Sequence, residues 1–295
     1  MWEELAERFQ QLYLTPGEEG MAEYRDIVRR GKDAKTRDLS HFRKHPQDSF
    51  TREETPAGAV DVVSIHERAD FERFLQIMAN RCEPVRIPVT QGAAILDGLT
   101  DWSKIRAHRQ AYLLQTMAEG GVPDWNAEFR RFTADRKNYT TALIVLSHGP
   151  YSALNAAETG LSEPEWLEKS MIIRKRHECT HFLCRRLFPA KIDAIWDEVT
   201  ADAVGLLSAF GEYRPALALR LLGIQDGQYI GGRLENYVPD DCPPEIWVPC
   251  CRDLACRIAE LAPRYADNAF GLALELEERK EDIQSAIAWA KGDQT

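Results

Sequence analysis

Two histidines stand four residues apart around a glutamate in the segment RKRHECTHFLCRRLF, residues 174–188. On a helix this spacing is one turn, so His177 and His181 present both imidazoles on one face and can share a metal ion. Glu178 lies about 100° further round the helix, where its carboxylate can reach a metal-bound water without binding the metal itself. The stripe carrying the histidines also holds Ile173, Thr180, Cys184 and Phe188. That face is largely apolar, and imidazoles buried on it need partners. The competing reading makes the histidines satisfied core residues, with Glu178 in an intrahelical ion pair with Arg174 and Arg185.

A catalytic zinc is usually held by three protein ligands with one position open, so a third ligand is needed from another element. The segment WDEVTADAVGLL supplies candidates. Glu198 and Asp202 are four apart on one helix face, and like charges at that spacing are destabilising unless something positive lies between them. Glu198 could bind the metal, and Asp202 could accept the free ring N–H of a histidine ligand and fix its tautomer. Asp193 and Asp197 fall on the other acidic stripe and read as solvated, with Asp197 the alternative third ligand. His41, His45, His66 and His108 lack any partner pattern, and His148 ends an expected strand.

HECTH followed by EVTAD resembles the HExxH plus ExxxD signature of the gluzincins, the thermolysin-like zinc metallopeptidases, in its ExxAD variant. The resemblance covers about residues 165–210. It implies Zn²⁺ held by His177, His181 and Glu198, with Glu178 as general base and Asp202 behind His177. It also implies a zincin-like domain in which a small sheet lies above the active-site helix and an edge strand takes extended substrate. Members of that family supply a tyrosine or histidine to the oxyanion. Here Tyr213, Tyr229 and Tyr237 are the candidates, and the loop DGQYIGGRLENY could bring Tyr229, Arg233 or Tyr237 to the site.

These residues must be positioned by an α+β, mostly helical chain. Residues 1–50 read as a helical, polar N-terminal appendage that ends in the loop-like HFRKHPQDSFTREETPAG. Residues 51–160 read as the sheet-and-helix part: a strand in AVDVVSI, a helix in HERADFERFLQIMANR, and a strand in VRIPVTQGAAILDGLTDW that runs into a Gly-rich loop. Helices follow at about 103–118 and 124–132. The run TTALIVLSH, bounded by Asn138 and Gly149-Pro150, is the clearest strand and the expected substrate edge. Residues 161–295 read as active-site helices and a helical C-terminal part. Ser162 with Glu165 forms a capping box for the HECTH helix, which ends before Pro189. A second helix ends at Gly211 and a third, about 214–222, ends at Gly223, with two more helices after the loop at 226–245.

With 295 residues and 44% hydrophobic content the chain can build a sizeable core. A net charge of −10 without a long Lys/Arg run excludes a nucleic-acid backbone as partner. No stretch is apolar and long enough to span a membrane, and the first residues lack the basic start and apolar core of a secretory signal. Cys82, Cys179, Cys184, Cys242, Cys250, Cys251 and Cys256 show no CxxC pair, which reads as reduced thiols in a cytoplasmic protein. The last four could suggest a second zinc but read as packed small residues. Cys179 falls about 200° from His177 and so should face away from the metal.

Taken together, the sequence predicts a zinc-dependent hydrolase, most simply a metallopeptidase acting on a peptide or protein substrate. The alternatives are a zincin-like metal-binding or interaction module without turnover, and a helical di-iron protein built on Glu178-x-x-His181. The second of these needs another ExxH unit. Only His181 among the seven histidines has a glutamate three residues before it.

Overall fold

The structure, a computed structural model, describes residues 1–190, 193–238 and 243–286. The chain divides into two units. The first comprises residues 1–52 and 61–147, and the second residues 53–60 and 148–295. Both belong to a mostly helical α+β architecture.

The first unit holds α1 (Trp2–Arg8), α2 (Glu18–Arg30), β1 (Ser49–Glu53), β2 (Val60–Ile65), α3 (Arg68–Met78), β3 (Ala93–Thr100), α4 (Trp102–Ala118), α5 (Trp125–Thr133) and β4 (Thr140–Ser147). The strands form one mixed sheet in the order β1-β2-β4-β3. β4 pairs parallel with β2 and antiparallel with β3, whose register shifts between Leu96 and Leu99. Gly98 occupies the left-handed region there, at φ 69°.

Four sequence expectations change in this unit. The strand expected to be a substrate edge is internal, because its apolar run is buried on both faces and its backbone is paired on both sides. The edges are β1 and β3. β1 itself falls in a segment expected to be loop, and β3 begins after a turn at Val89-Thr90, so the loop precedes the strand. Residues 1–50 are not an appendage either. Trp2, Leu5, Ala6, Phe9 and Leu12 share one core with Val63, Phe71, Phe74, Leu143 and Val145. Arg8 ties α1 to the unit through Asp61 at 2.5 Å and Asp101 at 2.6 Å.

The second unit holds α6 (Glu163–Leu187), α7 (Ala194–Phe210), α8 (Pro215–Leu221), a hairpin of β5 (Ile224–Gln225) and β6 (Gln228–Tyr229), α9 (Pro244–Leu261), α10 (Ala269–Glu278) and α11 (Lys280–Ala286). Among the described residues three helices therefore follow the loop, where two were expected. The capping box of Ser162 with Glu165 starts α6 as read from sequence. Asp193 caps α7 by accepting from Trp196 N at 3.0 Å, and Gly211 ends it in the left-handed conformation.

α7 is buried nearly all round, as expected for a helix with apolar residues on every face. Trp196, Val199, Ala203 and Leu207 pack on Trp247, Leu254 and Ile258 of α9 and Leu272 and Leu276 of α10. Leu206 and Ala209 join Ile173 and Trp166 of α6 together with Tyr151. Gly205 sets the distance between α6 and α7, because a Cβ built there would lie 2.9 Å from both Ile173 O and Ile173 Cγ2. Ile173 is one turn before His177, and Gly205 is about one turn after Asp202. Replacing Gly205 with valine should force the two helices apart and cost about 1–3 kcal/mol of stability. Urea unfolding would show this, together with weakened binding of any metal that both helices hold.

Candidate metal centre

α6 contributes His177 and His181, and α7 contributes Glu198 and Asp202, all buried. The two Nε2 atoms lie 2.9 Å apart. Glu198 Oε1 is 3.1 Å from His181 Nε2, and Glu198 Oε2 is 3.6 Å from His177 Nε2. One donor atom from each of His177, His181 and Glu198 lies within 4.8 Å of the other two. Tetrahedral ligands with bonds of about 2.0–2.1 Å stand roughly 3.3 Å apart, so these three donors are of a type and spacing that can hold a metal ion. Glu198 Oε2 is buried with no hydrogen-bond partner. An unpaired anionic oxygen is costly in the interior, and a cation among these three groups removes that cost.

Asp202 is placed differently. Its Oδ1 lies 3.0 Å from His177 Nδ1 and accepts from the Tyr151 hydroxyl at 2.7 Å. Its Oδ2 accepts from Arg233 Nη2. The carboxylate sits behind His177, and a ring that donates Nδ1–H to it turns the Nε2 lone pair toward His181 and Glu198. Tyr151 also lies 2.9 Å from His177 Nδ1 and accepts from Arg233 Nη1 at 2.8 Å. Arg233 Nη1 is 3.6 Å from Glu198 Oε2.

These contacts set the acid–base character of the site. Burial disfavours the charged forms of Glu198 and Asp202, but neighbouring cations outweigh it and hold both carboxyls below their ordinary range. His177, His181 and Arg233 do this for Glu198, and Arg233 and His177 for Asp202. Burial likewise opposes a charged His177, yet Glu198 and Asp202 prevail and raise its pKa. The Tyr151 hydroxyl is pushed far up, mainly by burial.

The remaining candidates separate clearly. Glu178 is half-buried and, among the described residues, makes no ion pair or side-chain hydrogen bond. The intrahelical pair with Arg174 does not form. That guanidinium instead donates to Gly149 O and Pro150 O at 3.0 and 3.1 Å. Tyr237 is half-buried near Glu198, and burial together with that carboxylate pushes its hydroxyl up to about 12. Tyr229 is committed elsewhere: its hydroxyl binds Gly232 O at 2.8 Å and Glu235 at 2.9 Å, and its ring packs edge-on against Trp247. The Tyr213 hydroxyl is buried without a partner.

Asp193 caps α7 and is not simply solvated. Asp197 faces Lys280 at 3.9 Å and stays outside the cluster. Cys179 is fully buried, with its thiol pushed up to about 12 by burial, as its angle from His177 suggested. Cys82, Cys179, Cys184, Cys251 and Cys256 are free thiols, and among the described residues no second metal-ligating group of three occurs. Cys242 lies outside the described residues. His108 contacts Glu128 at 2.5 Å and stacks on Phe132, while His45 and His66 stack on each other.

Sequence reading missed Tyr151. It follows β4 in a tight turn, 26 residues before His177, and no spacing rule connects it to the motif. Arg233 was one of three residues expected from the Gly-rich loop, without a defined partner.

The chain belongs to a family of unknown function, DUF7005, matched over residues 1–251. Comparison with curated proteins and with solved structures finds no match.

Asp202 has a lower pKa folded than unfolded, so its contribution to stability is complete above about pH 4 and is lost as pH falls below it. The metal-free protein should lose stability as pH falls below about 4. Asp202→Asn should flatten this acid limb in urea-unfolding midpoints. An unchanged limb would remove Asp202 as its source.

Proposed function

We propose that the protein is a zinc-dependent hydrolase in which His177, His181 and Glu198 hold the metal and Glu178 is the general base. The observation that carries this reading is the convergence of three metal-type donors, one of them a carboxylate whose Oε2 is buried without a hydrogen bond and has its nearest cationic nitrogens 3.6 Å away. Asp202 fixes His177 from behind, the arrangement that makes an imidazole a better ligand. Zinc, when bound, would supply positive charge to polarise a carbonyl and make water easier to deprotonate. Glu178, free of ion pairs, accepts the proton from water and passes it to the leaving group. The Tyr237 hydroxyl, near Glu198, is the better placed of the two tyrosines expected to stabilise an oxyanion, because the Tyr229 hydroxyl is used within its own loop.

Within hydrolases, the peptidase assignment is supported by the resemblance of HECTH and EVTAD to the gluzincin signature. Its second support was a free edge on β4, and that edge is paired. The substrate is therefore proposed at the level of a carbonyl compound, with peptides the first class to test.

Glu178→Gln should keep zinc and fold but lose hydrolysis by several orders of magnitude, on the order of 10³ or more. His177→Ala, His181→Ala and Glu198→Ala should lose the metal. Cys179→Ala should leave it in place. Metal content by mass spectrometry and turnover on peptide and ester libraries would be compared with the parent protein. A parent that holds zinc and cleaves neither library would instead support a metal-binding module. Full zinc occupancy in Glu198→Ala would overturn the ligand assignment.

A further inference from the structure

Arg233 reaches the site through an unusual piece of backbone. Gly223, at the end of α8, has φ 90°, and a Cβ there would lie 2.5 Å from Gly231 O. A Cβ on Gly232 would lie 2.9 Å from Gly223 Cα. The loop thus packs main chain on main chain, which only glycine allows at these positions. Ile230 N donates to Gly223 O at 2.8 Å, and the Tyr229 hydroxyl accepts from Gly232 N at 2.8 Å. Arg233 follows directly, opening a short 3₁₀ turn (Arg233–Asn236). Its guanidinium reaches Asp202, Tyr151 and, at 3.6 Å, Glu198.

We infer that Arg233 is a positioning residue that serves as the built-in counter-cation of this centre, keeping α6 and α7 folded around two buried carboxylates when no metal is bound. Glu198 and Asp202 are 6% and 1% exposed, and two uncompensated anions at that depth would destabilise the helix that carries them. Arg233 is permanently charged, and its planar fork spans Asp202 and Tyr151 from separate nitrogens, which a lysine ammonium cannot reproduce. The centre therefore differs from a structural zinc site, in which the metal itself holds the fold. A divalent cation adds to a site that is already assembled, and Arg233 then repels it while continuing to hold Asp202.

The test is thermal unfolding of the full chain at about pH 8, well above the carboxylate range, in EDTA and with added zinc. Hydrogen–deuterium exchange of α6 and α7 would locate the change. In EDTA the parent should unfold cooperatively, and Arg233→Met should lower the midpoint by roughly 10 °C. Arg233→Lys should recover only part of this loss. Adding Asp202→Asn to Arg233→Met should recover most of it, because both members of the pair are then uncharged. Zinc should raise the midpoint more in Arg233→Met than in the parent, since the metal replaces the missing charge.

An unchanged midpoint for Arg233→Met in EDTA would overturn the inference. So would a loss that neither zinc nor Asp202→Asn restores, because that is the behaviour of a packing residue. If Arg233→Met fails to fold in EDTA, the double variant decides: its folding supports the inference, and its failure overturns it. The zinc arm rests on the metal reading, whereas the EDTA arm does not. A parent that ignores zinc would remove the metal reading and leave the role of Arg233 to be decided by the double variant.

Discussion

The second unit is organised around the burial of two carboxylates on one helix. α7 is mostly apolar, and Glu198 and Asp202 are its two buried carboxylates, one turn apart in its most enclosed stretch. An isolated carboxylate moved from water into protein interior costs several kcal/mol even after relaxation. Two imidazoles, a guanidinium and a hydroxyl are arranged to offset that cost. The imidazoles come from α6, the guanidinium from the glycine loop and the hydroxyl from the turn after β4. Each of these elements is held by apolar packing, but where each must stop along α7 is set by the charges.

That constraint explains the close approach at Gly205. His177 meets Asp202 at 3.0 Å, and one turn along a side chain in place of Gly205 would put its Cβ 2.9 Å from Ile173 O and Cγ2 and push the helices apart. A glycine facing Ile173 permits the contact. The same helix then continues into Leu206, Leu207 and Ala209, which restore ordinary apolar packing on both sides. A small local gap in side-chain volume is therefore coupled to the position of a polar contact.

Much of this is legible in the sequence because it depends on helical period. The i, i+4 spacing of His177 with His181, and of Glu198 with Asp202, places each pair on one face through the geometry of the helix alone. The capping box at Ser162 marks where the helix begins. What periodicity does not encode is contact between segments joined by turns. Tyr151 and Arg233 lie 82 residues apart, and each is brought to Asp202 by backbone conformations that glycines and a proline make available. The strand error has the same origin. An apolar run bounded by turn residues reports that both faces of TTALIVLSH are buried, but says nothing of its two edges, whose pairing is non-local. The polar look of residues 1–50 likewise hid a narrow apolar stripe at Trp2, Leu5 and Phe9 that is fully used by the core.

The two carboxylates, equivalent in spacing, are made inequivalent by satisfaction of their lone pairs. Asp202 accepts from Tyr151 and Arg233 and faces the Nδ1 side of His177. Its remaining capacity is small, and any metal it bound would have to displace a charged donor. Glu198 has one imidazole contact within hydrogen-bond distance, at Oε1, and its other oxygen makes no hydrogen bond. A ligand must offer a free lone pair, and a carboxylate that orients a ligand must not. The same logic extends to the imidazoles. Asp202 occupies the Nδ1 side of His177, leaving Nε2 as the nitrogen that can donate to a metal, and that is the nitrogen turned toward His181 and Glu198. Ligand and support are thus distinguished by which hydrogen bonds are already made, a distinction that residue identity and spacing alone do not contain.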